Sequence, residues 1–179
     1  MIEIKDYINR LVVDLESVEN LYTELYRIVN LLYDKKSNTI FLCGNGGSSS
    51  TASHLANDLL KMCNMKSICL SDNVPLVTAI SNDIDYKNIF SYQLDKLAKK
   101  GDILWVFSGS GNSKNIIEAI YKAQEIGMKI ISFIGCNGGI IHKMKLPYTI
   151  YLSTDMQHIE DLHLILGHAI TRVLYDKQI

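Results

Sequence analysis

Five short apolar runs, each followed by a stretch long enough to return across a sheet, constrain the fold of this chain most tightly. They are 'TIFLC' (39–43), 'KSICL' (66–70), 'DILWVF' (102–107), 'KIISFIG' (129–135) and 'YTIYL' (148–152). Apolar residues fill both odd and even positions, so both faces of each strand need cover. Such strands alternating with helices predict an α/β fold with one parallel sheet clothed on both sides. Helices are expected over 50–62, 74–81, 87–98 and 113–126, with Gly127 ending the fourth as a C-cap glycine. A last helix is expected from about Met156 to Leu174. Ligands of such sheets bind beyond the carboxyl ends of the strands.

Ahead of the first strand, Ile4, Ile8, Leu11, Leu15, Val18, Leu21, Leu25, Ile28 and Leu32 recur at steps of three and four. This predicts an amphipathic helix over 4–33, broken once near Ser17. A helix placed there either folds onto its own sheet or packs on another subunit, and periodicity does not choose. The length of 179 residues suits one domain over the whole of 1–179. The net charge of −1 and the lack of a basic stripe give no footprint for nucleic acid. No apolar run approaches bilayer length, and 'MIEIKDYINR' lacks a signal-type apolar region. Cys43, Cys63, Cys69 and Cys136 contain no CxxC spacing; Cys43 and Cys69 read as buried small hydrophobes. The expectation is a soluble protein of a reducing compartment, the cytoplasm.

Two glycine- and serine-rich segments leave the ends of buried strands and enter helices. One is 'CGNGGSSSTASH' (Cys43 to His54), the other 'FSGSGNSKN' (Phe107 to Asn115). Glycine lets backbone approach a ligand, and helix-start amides offer donors and partial positive charge. With the hydroxyls of Ser108, Ser110 and Ser113 added, such a nest suits a phosphate monoester without a lysine. Rival motifs fail. A dinucleotide fingerprint would need glycine where Ser49 stands, no Gly-Lys-Ser/Thr occurs, and residues 107–111 read Phe-Ser-Gly-Ser-Gly rather than the hydrolase elbow. No nucleotide cofactor is expected.

With 'CGNGGS…H', 'SNDIDY', 'FSGSGNSKNIIEAI' and 'IEDLHLILGH', nearly the whole chain resembles the SIS (sugar isomerase) domain, and within it the phosphoheptose isomerases. These interconvert sedoheptulose 7-phosphate and D-glycero-D-manno-heptose 7-phosphate. The resemblance implies a flavodoxin-like three-layer αβα sandwich assembled as a homotetramer with interface active sites. It implies that Ser108, Gly109, Ser110 and Ser113 hold the phosphate. Asn45, Gly46, Gly47, Ser48, Asp83 and Gln157 would meet the substrate. It also implies a catalytic and metal-binding set on His54, Asp58, Glu160 and His168, for Zn²⁺ or a similar divalent cation.

Departures from the family pattern surround the sugar rather than the phosphate. Asp58 stands for the family's Glu, Glu160 for its Gln, Gln157 for its usual Asp, and Met62 for an Arg. His54 and Asp58, at i and i+4, share a helix face. Glu160 and His168 lie eight residues apart, about 80° around and ~12 Å along a helix. They meet at one ion only through outstretched side chains, or one of them serves another subunit's site. By resemblance Asp58 is the base, with Glu160 as its rival, and His168 the acid of an enediol mechanism. Other openings are an isomerase of a different sugar phosphate and a non-catalytic phosphosugar- or partner-binding SIS protein. His142 reads as a surface residue, and His158 and His163 as helix-face residues without a role.

Overall fold

The structure, a computed structural model, describes residues 3–177. The outermost residues of the expected 1–179 domain lie outside it. Strands β1 (Ile40–Cys43), β2 (Ser67–Cys69), β3 (Ile103–Ser108), β4 (Lys129–Ile134) and β5 (Tyr148–Tyr151) form one sheet in the order β2-β1-β3-β4-β5. Every pairing is parallel; Phe41 stands opposite both Ile68 and Leu104, and Trp105 opposite Ile131. Helices are α1 (Ile4–Ser17), α2 (Tyr22–Asp34), α3 (Gly47–Lys61), α4 (Val74–Asp83), α5 (Ser91–Leu97), α6 (Lys114–Ile126), α7 (Gly139–Lys143) and α8 (Met156–Asp176).

The strands are apolar throughout because their alternate residues feed two separate cores. Ile40, Leu42, Ile103, Trp105, Phe107, Ile131 and Phe133 pack with α2, α3 and α8 on one side. Phe41, Cys43, Leu104, Val106, Ile130 and Ile134 pack with α4, α5, α6 and α7 on the other. The three-layer αβα arrangement therefore follows from period-two alternation of apolar with apolar. β2 departs from the expectation: it is three residues long and Ile68 is exposed. An edge strand needs less cover than a central one.

The expected helix over 4–33 is two helices joined by a 3-10 turn at Val18–Leu21, with Val18 buried. The tighter turn re-aims the apolar stripe, so α2 buries Leu25, Ile28, Val29, Leu31 and Leu32 while α1 buries no residue. The third helix begins at Gly47 rather than Ser50. Its glycine and serines have weak helix propensity, which packing overrides. Gly46, at φ 57° and ψ −127°, makes the abrupt entry that only glycine adopts freely. The helix expected over 87–98 is divided into a 3-10 turn, Tyr86–Asn88, and α5. Gly127 closes α6 in the left-handed conformation, as expected.

Candidate active site

The strand order places its reversal between β1 and β3, whose next connections depart in opposite directions along the sheet. A crevice opens at such a point beyond the carboxyl ends of the strands. The two glycine- and serine-rich segments flank it. After β3, buried Ser108 Oγ accepts from the Gly111 amide at 3.1 Å, and Ser110 Oγ accepts from the Asn112 amide at 3.2 Å. Gly111 (φ 63°) has the Gly138 carbonyl where a side chain would begin. Any other residue would spring this loop from its curve. Ser113 is the N-cap of α6 and its side chain makes no capping bond, so its hydroxyl is uncommitted. The first amides of α6 lack intrahelical partners, as at any helix start, and of these Ile116 N–H donates to Asn115 Oδ1.

The loop after β1 is tied across to this one. Asn45 Nδ2 donates to Asn115 Oδ1 at 2.9 Å, and Asn115 Nδ2 donates to Asn45 Oδ1 at 2.8 Å. The Tyr86 hydroxyl also donates to Asn45 Oδ1, at 3.0 Å. The carbonyl oxygen of Asn45 is thus fully used within the chain. Ser48, in the first turn of α3, is buried. Asp83, at the exposed end of α4, accepts from Asn82 Nδ2 at 2.8 Å.

Further along α3, His54 and Asp58 meet His168 of α8. Nε2 of each histidine lies 3.6 Å from Asp58 Oδ2, and the two rings are 4.9 Å apart between centroids. Ligand atoms of all three fall within 4.8 Å of one another. The Asp58 side chain is 13% exposed, whereas the imidazoles are about half open, so the face of the cluster is accessible. Two helices come this close because Gly167 has no side chain: Leu55 occupies the place a Cβ would take. The adjacent His168 is thereby brought onto Asp58.

Glu160 does not join that trio. Its carboxylate fills the place a side chain at Gly47 would need, at the first turn of α3. His54 lies seven residues further on, about 10 Å along the axis. The N-terminal turns of α8 thus lie across both loops, with the Met156 sulfur against Gly109 and Glu160 against Gly47. Gln157 is exposed on the same turn. Within one chain the trio and Glu160 are two stations along α3, not one four-member set.

Two histidines read from sequence as idle helix-face residues are buried instead. His158 Nδ1 lies 2.7 Å from Asp14 Oδ2, which also accepts from Thr154 Oγ1 at 2.6 Å. His163 lies beneath the loops, 6.0 Å from Phe107 and 5.6 Å from Phe133 between ring centroids. Burial pushes its pKa down to about 3, against the opposing pull of the Ile134 backbone. His163 is neutral and serves the core. His142 is exposed, as expected. Asn115 and Tyr86 were not legible as site residues: each reaches Asn45 only through the fold.

Sequence and fold together have close parallels among known proteins. A family model for the SIS domain matches residues 6–135. The chain belongs to the SIS-domain family. Among SIS proteins it is 36% identical over 162 residues to the phosphoheptose isomerase of Helicobacter pylori strain P12, covering 87% of this chain and 84% of that one. The structure of phosphoheptose isomerase GmhA from Neisseria gonorrhoeae superposes with a TM-score of 0.88 at 28% identity, covering 96% of each chain. A phosphoheptose isomerase from Francisella tularensis gives 0.91 at 25% identity, covering 97% of this chain and 96% of that chain. This SIS protein is an isomerase of the phosphoheptose isomerase type.

Proposed function

We propose that the protein converts sedoheptulose 7-phosphate into D-glycero-D-manno-heptose 7-phosphate through an enediol. The observation that carries this reading is the His54–Asp58–His168 trio, formed where α3, which starts from the β1 loop of the crevice, meets α8. Ser108, Gly109, Ser110, Ser113 and the first turn of α6 take the phosphate; Gly46, Gly47, Ser48 and the remaining N–H of Asn45 face the sugar, with Asp83 and Gln157 at the rim. Asp58 removes the C1 proton of the ketose, and the C–H electrons become the C1–C2 double bond as the C2 oxygen gains a proton. Return of a proton to C2 and loss of the O1 proton give the aldose. His168 moves the protons between the two oxygens. Holding the phosphate at a distance fixes C1 and C2 against these groups.

The trio also fits a divalent cation. Two imidazoles and a carboxylate are a zinc-type donor set, and the 3.6 Å spacing of the donor atoms is close to the ~3.3 Å edge of a tetrahedron with zinc–ligand bonds. His54, Asp58 and His168 would hold the ion, and Zn²⁺ there would polarise the sugar carbonyl. Glu160, the fourth expected ligand and rival base, completes the set when supplied by a second copy. The exposed apolar side chains of α1 (Ile4, Ile8, Val12 and Val13) and the groove of Tyr22, Leu25, Tyr26, Val29 and Ile170 support such an assembly, a homotetramer with interface sites. The free thiols of Cys43, Cys69 and Cys136 support a cytoplasmic setting. No described helix is long and apolar enough to cross a membrane.

The test is an NMR or mass-spectrometric assay of the purified protein with sedoheptulose 7-phosphate and a panel of other ketose phosphates, with and without chelator. Turnover of the seven-carbon ketose, lost on chelation and regained with Zn²⁺, is expected. Preference for another sugar would overturn the substrate, and chelator-resistant turnover would overturn the metal.

A further inference from the structure

Among the described residues, the reciprocal amide pair between Asn45 and Asn115 is the one side-chain hydrogen-bonded tie between the two loops of the site. Its orientation is fixed from outside. Asn115 Oδ1 accepts from the Ile116 amide at 3.0 Å, and a backbone N–H can only donate. Asn115 Nδ2 must therefore face Asn45 Oδ1, and that oxygen then requires donors. Tyr86 supplies the second one. Asn115 is 2% exposed, so the pair lies where an unpaired amide would be costly. Tyr86 is 53% exposed, and its hydroxyl, having donated inward, keeps lone pairs toward the crevice it lines with Asn45, Gly46 and Ser49.

These bonds join three segments with separate connections to the sheet. Asn115 is in the first turn of α6, at the phosphate end. Asn45 immediately precedes Gly46, the entry to α3, at the sugar end. Tyr86 belongs to the 3-10 turn after α4. Sheet pairing fixes β1 against β3 only as far as Cys43 and Val106. Beyond that point this brace ties the two loops to each other. We propose that Asn115 and Tyr86 are positioning residues that hold Asn45, and with it the Gly46–Ser48 turn, at a set distance from the phosphate cradle. They thereby select for the length of the sugar phosphate bound. The proposal rests on the phosphosugar reading of the crevice.

Tyr86→Phe removes one hydroxyl from an exposed ring and leaves folding intact. Asn115→Asp is isosteric, keeps the bond from Ile116, and places an oxygen against Asn45 Oδ1. Calorimetry gives the affinities of wild type and variants for sedoheptulose 7-phosphate, fructose 6-phosphate and inorganic phosphate. The seven-carbon preference over the six-carbon sugar is expected to fall roughly fivefold in Tyr86→Phe and more than tenfold in Asn115→Asp, with inorganic phosphate binding unchanged. The double variant should lose less than the product of the two, because both act on one oxygen. A preference unchanged in Tyr86→Phe would overturn the brace, as would equal weakening of all three ligands. Tyr86→Phe alone decides if Asn115→Asp fails to fold. Wild-type turnover is read separately: a protein that binds with this preference but isomerises nothing refutes the reaction and leaves the brace standing.

Discussion

In the proposed mechanism Asp58 is the residue on which the chemistry turns, since both imidazoles of the trio converge on one of its oxygens. Asp58→Asn keeps the shape and removes the base. Its kcat is expected to fall ~10²–10⁴-fold with the KM for the phosphosugar little changed, measured by steady-state kinetics. His168→Ala should do the same. His163 acts on stability instead. Its folded pKa of about 3 lies below an unfolded value near 6.5, so the unfolded chain binds the extra proton between them. Its contribution is complete above pH ~6.5 and is lost as pH falls toward 3. Denaturant titrations should show that His163→Leu loses about 2 kcal/mol less than the wild type between pH 7 and pH 5. The hydroxyl- and glycine-rich loops and the pair His54 and Asp58 were legible in the sequence because each is local: consecutive residues, or one helical turn. Asn45 with Asn115, and Asp14 with His158, are 70 and 144 residues apart, and nothing in their own neighbourhoods announces the partner.

Among the elements, α1 buries no residue fully and is held by polar bonds together with the half-buried Leu11 against the core. Asp14 joins His158 and Thr154, Tyr7 Oη donates to Asp161 at 2.7 Å, and Arg10 pairs with Asp155 at 2.7 Å. All four partners lie in or just before the first turns of α8, whose Met156 and Glu160 cover the loops of the site. Asp14→Ala leaves His158 buried without its partner. It should cost ~1–3 kcal/mol in chemical denaturation and raise amide hydrogen exchange across 4–17. Unchanged exchange there would show that α1 is held by something else. Helix periodicity marked 4–33 as helical and its break near Ser17, but not the form of that break. The 3-10 turn at 18–21 keeps the same apolar spacing and only redirects it. The strands were read within a residue or two, because an apolar run of that length bounded by turns has few other uses.

At the scale of the molecule, the trio and Glu160 lie two turns apart along α3 while α1 leaves Ile4, Ile8, Val12 and Val13 uncovered. Both support the proposed assembly of several copies. Sedimentation is expected to find a tetramer for the wild type. Val12→Asp with Val13→Asp should yield smaller species, with turnover falling in step. A fully active monomer would remove the need for a second copy. The central claim is a proton moved by the Asp58 cluster on a sugar held by its phosphate. Its most direct measurement is conversion of sedoheptulose 7-phosphate in D₂O, followed by NMR. The account predicts heptose 7-phosphate carrying solvent deuterium at C2, and neither product nor exchange with Asp58→Asn. Product and C2 deuterium formed at the wild-type rate by Asp58→Asn would contradict it.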